Sequence, residues 1–362
     1  MMAHLYALLY RIYSALKKSA AEGVLRRWPR AGRGLDQLKR WVGTCFLSNV
    51  QVWVRVKSGL SQGLWMRLRL PGETAIWRGE HDPEVQNAIL AAVSPGDVFY
   101  DIGAHVGTMA LGAALLVGER GRVVAFDGDP ENIARLKDHR ARNGLKDRLH
   151  VVHAAVWSRT AVEGVCFRRG AKERSQGGVE ADGNRPVLGS GPLINVPAIR
   201  LDDLVLAGEP PPQVVKIDVE GGEYEVLRGG TKLFAEERPL LIAEIHHQGA
   251  AERITSWLIE YQYCAQWKIP DENFPRQLFA WPIEKQWTQM SGRPGMPALI
   301  PFSSTLNFEA KRSAPRSAKG VQLNFLDQDC PCTSQLIPRG GLCMGAPLVF
   351  WKPGVSRPAG SD

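Results

Sequence analysis

An α/β domain built on a mostly parallel sheet is what three stretches of this 362-residue sequence predict. In the first, the apolar run VFY (residues 98–100) ends at Asp101, passes Gly103 and Gly107, and enters a Leu/Ala/Met-rich helical segment. A second apolar run, VVAF (residues 123–126), then stops at Asp127, and Pro130 opens another helical pattern through Leu136 and Arg140, which completes a βαβ unit. The other two stretches are VVKIDVEGGEYEVLRGG, a strand that turns at Gly221 and Gly222 into a helix, and PLLIAEIHHQ, a buried strand ending among Glu244, His246 and His247. Strands separated by helical crossovers pair in parallel, with helices covering both faces.

Taken in order, residues 1–42 place Leu5, Leu8, Leu9, Ile12 and Leu16 at helical spacing, followed by Lys17, Lys18, Arg26, Arg27 and Arg30. This basic amphipathic helix is too short and, with Arg11, too interrupted to span a bilayer. It is expected to pack its apolar stripe on its own domain, with peripheral contact to an anionic membrane surface as the second reading. Residues 43–97 read as a strand-rich and helical lead-in: Val52, Val54 and Val56 alternate, Gly59 and Gly63 mark a turn, and Leu64, Met66, Leu68 and Leu70 alternate back, the pattern of a hairpin. Trp41, Trp53, Trp65 and Trp77 are evenly spaced, but their flanks do not repeat. His81, Asp82, Pro83 and Glu84 start a helix with Val85, Ala88, Ile89 and Ala92 on one face. Beyond the βαβ unit, LHVVHAAVW (residues 149–157) predicts a third strand, and residues 168–192 a long loop over the active face or a disordered insertion. Residues 199–206 restart order as a short strand or helix, and Pro210, Pro211 and Pro212 form a stiff spacer. CAQWKI and QLFAWPI, on either side of Pro275, read as a terminal strand pair that closes a domain spanning residues 98–290. The Pro/Gly/Ser-rich residues 291–362 are expected to form an unstructured tail.

The formal net charge of +8 belongs to the ends. The body from 43 to 290 holds 28 basic against 31 acidic residues, which removes the main support for nucleic-acid backbone binding. Six cysteines, scattered without C-x-x-C pairs or histidines at metal spacing, argue against a zinc site or disulfide framework and fit a reducing, cytoplasmic setting. No resident metal is expected.

The chemistry lies at the strand ends. Asp101 followed by G-x-x-x-G lacks the third glycine of the dinucleotide fingerprint, and a carboxylate there repels phosphate but can hold an ammonium group. Asp127 can accept hydrogen bonds from both hydroxyls of a ribose. A ribose with a zwitterionic amino-acid tail and no phosphate describes S-adenosylmethionine, although both acids are also ordinary strand-end turn formers. By strand alternation Lys216, Asp218 and Glu220 share one face, a burial that is costly unless the groups are paired or meet a ligand. Glu223 reads equally well as a helix-capping acid. In the neighbouring strand Glu244 and His246 project on the same side, so that Lys216 is expected to pair with Glu244 and His246 to lie near Asp218 and Glu220.

In order along the chain, DIGAHVG, AFDGDP, AAVW, IRLDDL, KIDVEGGEYEVLRGG and LIAEIHH resemble the FkbM-type methyltransferases over about residues 75–250. The resemblance implies a class I methyltransferase fold, that is, a Rossmann-like, mostly parallel seven-stranded sheet. It also implies S-adenosylmethionine as methyl donor and a hydroxyl of a sugar, glycan or natural product as acceptor. By position it assigns the donor site to Asp101, Gly103, Gly107, Asp127 and Ala155, with Glu80 as a weaker candidate. The chain departs from the commoner family pattern at Asp127, Gly128 and Gly222, and the first change shortens the reach toward the ribose. For the reaction itself, Asp218 or His246 is expected to act as base, Glu220 to orient the acceptor and Lys216 to fix the carboxylates. A divalent cation bridging Asp218, Glu220 and acceptor hydroxyls has little sequence support. Two alternatives remain open: an inactive donor-binding partner subunit, which predicts erosion of the strand-end acids, and a nicotinamide-dependent dehydrogenase, which predicts a more glycine-rich first loop.

Overall fold

A computed structural model describes residues 51–70, 72–168, 178–179, 192–268 and 274–285. The expected N-terminal amphipathic helix, the C-terminal tail and Trp41 lie outside the described residues. The chain begins with the predicted hairpin, β1 (Gln51–Arg55) and β2 (Trp65–Arg69), which pair antiparallel with Val52 opposite Leu68 and Val54 opposite Met66. Two helices follow, α1 (Thr74–Arg78) and α2 (Pro83–Ala92), and Val85, Ala88, Ile89 and Ala92 of α2 are all buried as their spacing predicts. The βαβ unit is β3 (Val98–Ile102), α3 (Thr108–Leu116) and β4 (Arg122–Asp127), after which α4 (Pro130–Arg142) leads to β5 (Leu149–His153). Asp129 caps α4, accepting a hydrogen bond from the Glu131 N–H at 2.8 Å, with Pro130 in the first turn.

The stretch LHVVHAAVW is one strand in the sequence reading and two in the molecule. It breaks at Ala154 into β5, an edge of the main sheet, and β6 (Ala155–Val156), which pairs in parallel with β9 (Leu193–Ile199). Between them β7 (Ala161–Arg168) and β8 (Gly178–Val179) complete a separate four-stranded sheet in the order β6-β9-β7-β8. The expectation of loop across 168–192 is corrected at two places, where Arg168 ends β7 and Gly178 and Val179 pair with that strand; residues 169–177 and 180–191 lie outside the described residues.

The remaining elements are α5 (Leu201–Leu206), β10 (Val214–Ile217), α6 (Glu223–Gly229), α7 (Thr231–Glu236), β11 (Leu240–Ile245), α8 (Gln248–Glu260), β12 (Tyr263–Lys268) and β13 (Arg276–Pro282). The main sheet has the order β12-β13-β11-β10-β3-β4-β5. Its pairs from β11 to β5 are parallel, and β13 is antiparallel to both β11 and β12. A mostly parallel seven-stranded sheet with one reversed strand near its edge is the Rossmann-like class I methyltransferase architecture. Period-two alternation divides the core: Phe99, Val123, Ala125 and Val214 pack on one face with α2, α3 and the hairpin, while Tyr100, Ile102, Val124, Phe126, Val215 and Ile217 pack on the other with α6, α7 and α8. The strand order reverses between β3 and β10, which opens a crevice at the carboxyl ends of these strands.

Candidate active site

Helix α3 starts from a turn that only glycine suits at two points. Gly103 has φ +78° and Gly107 φ +91°. A Cβ on Gly103 would collide with the Asp218 carbonyl oxygen, and one on Gly107 with the Leu136 side chain. These glycines therefore let the turn approach the protein's own β10 end and α4. Asp127, at the end of β4, closes the same turn: its Oδ2 accepts from the His105 N–H at 2.8 Å, and its Oδ1 from the Asp129 N–H at 2.7 Å and from Asn132 Nδ2 at 3.2 Å. A carboxylate offers about four lone-pair sites, so about one remains for a ligand rather than the pair expected for both ribose hydroxyls. Burial pushes the Asp127 carboxyl up to about 7 against these donors.

Strand β10 carries only the first of the three ionisable residues that the sequence places on it. The strand ends at Ile217, and the chain then turns through Glu220 at φ +54° and Gly221 at φ +108°. The side chains meet nonetheless. Lys216 pairs with Asp101 Oδ1 at 3.2 Å and Asp218 Oδ2 at 3.5 Å, and donates to the Gly103 carbonyl at 3.0 Å. The expected pairing of Lys216 with Glu244 is corrected, because the parallel register sets Lys216 opposite Asp101 on one side and Ile242 on the other. Burial opposes the Lys216 charge, but Asp101 and Asp218 outweigh it and hold the ammonium above its ordinary range. Burial pushes Asp101 up despite its lysine partner; at Asp218 burial acts the same way, but Lys216 and His246 prevail and hold the carboxyl low.

His246 follows β11 and is nearly sealed, its side chain 5% exposed. Its Nδ1 lies 2.7 Å from Glu223 Oε1, and its Nε2 faces Glu220 Oε2 at 3.1 Å, Asp218 Oδ1 at 3.7 Å and Glu244 Oε1 at 3.8 Å. The first turn of α6 buries Glu223 completely, where its Oε1 also accepts from the Gly221 N–H at 2.7 Å. Burial works against an imidazolium, yet the Glu223 hydrogen bond and the surrounding carboxylates raise His246 to about 10. Burial raises Glu220 to about 7, and burial with the Asp218 charge raises Glu244 to about 7. The surrounding acids favour the protonated imidazolium of His246.

A small pocket opens beside this cluster. Gly103, His105, Lys216, Asp218 and Glu244 line it from the strand ends, and His81 and Asp82 from the start of α2. Of the residues expected from the sequence, Lys216, Asp218, Glu220 and His246 come together, with Asp101 and Gly103 tied to them through Lys216. Gly107, Asp127, Ala155 and Glu80 do not line this pocket: Ala155 packs against the small-sheet core beside Trp157, and Glu80 is exposed next to Arg78. Sequence reasoning underweighted Glu223, whose place in K-x-D-x-E-G-x-E was its only signal, and missed His81, Asp82 and His105 as pocket walls.

Residues 101–264 match the family model of the methyltransferase FkbM domain. The chain is 28% identical over 229 residues to the hexuronic acid methyltransferase AglP of Haloferax volcanii, an alignment covering 59% of this chain and 87% of that protein. The methyltransferase FkbM structure from Methylobacillus flagellatus is similar at a TM-score of 0.37 and 16% identity, covering 68% of this chain and 60% of the other. Aeropyrum pernix fibrillarin, solved with natively bound S-adenosyl-L-methionine, is similar at a TM-score of 0.34 and 14% identity, covering 54% of this chain and 74% of the other.

Proposed function

From the match of residues 101–264 to the methyltransferase FkbM domain, we propose that this chain is an FkbM-type methyltransferase that transfers a methyl group from S-adenosylmethionine to a hydroxyl of a sugar or glycan. The observation that carries this reading is the Lys216 bridge: one buried ammonium ties the Gly103 turn and Asp218, which line the pocket, to the buried Asp101. The residues fit the donor. Gly103 and Gly107 let the chain turn tightly at the start of α3, and Asp127, with three N–H groups on its two oxygens, keeps about one acceptor site for a ribose hydroxyl. When bound, S-adenosylmethionine supplies a methyl carbon on a sulfonium leaving group. The protein's part is alignment and proton removal: a C–O bond forms as the C–S bond breaks, and the hydroxyl proton passes to the carboxylates of the pocket wall, Asp218 first. Glu244 faces the same space, and His81 and Asp82 bound it from α2. The hexuronic acid relative supports a sugar as acceptor.

Titration calorimetry tests the donor. Heat is expected with S-adenosylmethionine and none with NAD, and Asp127→Ala is expected to weaken donor affinity by about tenfold, near 1.4 kcal/mol. Heat with NAD alone would replace this reading with that of a dehydrogenase.

A further inference from the structure

Five carboxylates (Asp101, Asp218, Glu220, Glu223 and Glu244) share this end of the sheet with two basic groups, Lys216 and His246. Lys216 is committed to Asp101, Asp218 and the Gly103 carbonyl. On the other side of Asp218 the nearest basic group is the His246 imidazole, with His81 and Asp82 facing it across the pocket. Ligand atoms of Asp218, Glu244 and His246 lie within 4.8 Å of one another, a span that small shifts close around one ion. Two further observations point to a guest. His246, almost entirely buried, turns Nε2 into this gap, 3.1 Å from Glu220 Oε2, 3.7 Å from Asp218 Oδ1 and 3.8 Å from Glu244 Oε1. Glu220 Oε2 is likewise buried at its rim and accepts no hydrogen bond.

The far side of the ring is already set for metal ligation. Glu223 Oε1 holds His246 Nδ1 at 2.7 Å, and the Gly221 N–H in turn holds Glu223. A carboxylate on Nδ1 fixes the ring's orientation, and a cation bound at Nε2 takes the place of the proton that this nitrogen otherwise carries among the acids. The two oxygens and one nitrogen suit a first-row divalent ion such as Mn²⁺, with coordination positions open toward the pocket.

We propose that Asp218, Glu244 and His246 form a divalent-cation site, with Glu223 orienting His246, and that the cation holds the acceptor's hydroxyl oxygen. This rests on the acceptor pocket of the proposed methyl transfer. With the ion in place, part of Asp218's contribution is as a ligand rather than as the proton acceptor. Turnover alone therefore does not separate the two roles, and the test reads the metal directly.

The full chain, stripped with EDTA and titrated with Mn²⁺, is expected to bind one equivalent in electron paramagnetic resonance. Pulsed measurements should show nitrogen coupling from a directly bound imidazole. Glu244→Gln is expected to weaken Mn²⁺ by at least about tenfold, and His246→Gln to remove the nitrogen coupling. Wild-type Mn²⁺ binding no tighter than that of the Glu244→Gln variant, or a bound ion without nitrogen coupling, would overturn the site, and both wild-type spectra stand even where a variant folds poorly. S-adenosylmethionine calorimetry on the same EDTA-treated sample keeps the two readings apart. Donor heat without Mn²⁺ binding sinks the cation site alone, whereas absent donor heat sinks the methyl-transfer reading.

Discussion

The end of β4 and the ends of β10 and β11 both present acids at the carboxyl edge of one sheet, yet they are different devices. Asp127 has three of its about four lone-pair sites taken by the chain's own N–H groups and works first as a staple between the turn before α3 and the start of α4. Asp218, Glu220 and Glu244 crowd around one imidazole, their charge incompletely matched, and burial raises Glu220 and Glu244. A satisfied strand-end acid contributes to stability, whereas an unsatisfied cluster costs stability and is kept where it meets a ligand.

The largest expected effect probes the contact between the two regions. Gly103→Ala forces a side chain into the Asp218 carbonyl at a left-handed backbone position, and is expected to destabilise the fold by about 4 kcal/mol or more in urea unfolding. A loss below about 1 kcal/mol would mean that the turn does not rest on β10. Next comes Asp218→Asn, which on the acid side should lower turnover by about 100- to 10,000-fold while donor affinity in calorimetry stays within about twofold. Unchanged turnover would erase the functional half of the contrast.

The third prediction concerns pH on the satisfied side. His139, fully buried between the Arg67 N–H and the Val106 carbonyl, is held neutral by burial at about 4. Its unfolded pKa is near 6.5, so between these values the unfolded chain binds the proton that the folded one refuses. Stability from this group is complete above about pH 6.5 and falls by roughly 3 kcal/mol toward pH 4. Chemical denaturation across that range should show a shallower pH slope in His139→Gln, and an identical slope would place the acid sensitivity elsewhere. The smallest effect sharpens the same side: Asp129→Ala removes the α4 cap and should cost about 1 kcal/mol by thermal melting, with turnover unaffected.

Much of the fold was legible because its signals are local. Apolar runs ending in Asp101 and Asp127, the alternation of the hairpin and the strand pair around Pro275 follow from side-chain periodicity alone. The small sheet was not legible: its strands pair across long separations, Gly164 has a positive φ where the β7–β9 register shifts, and the break at Ala154 leaves no mark in an unbroken apolar run. At the site, the meeting of His246 with Asp218 and Glu220 could be read from neighbouring strands. The partner of Lys216 could not, because it depends on a register that sets Asp101 beside it. Glu223 was obscured by its position, since an acid in the first turn of a helix has an ordinary explanation.

Lys216 has three N–H hydrogens and three protein neighbours to receive them: the Gly103 carbonyl, Asp101 and Asp218. A guest in the pocket finds its ammonium already committed and meets a wall rich in lone pairs. Unless a cation has come first, such a wall welcomes a molecule offering hydroxyl or amino hydrogens and turns away one whose contacting group is itself a carboxylate.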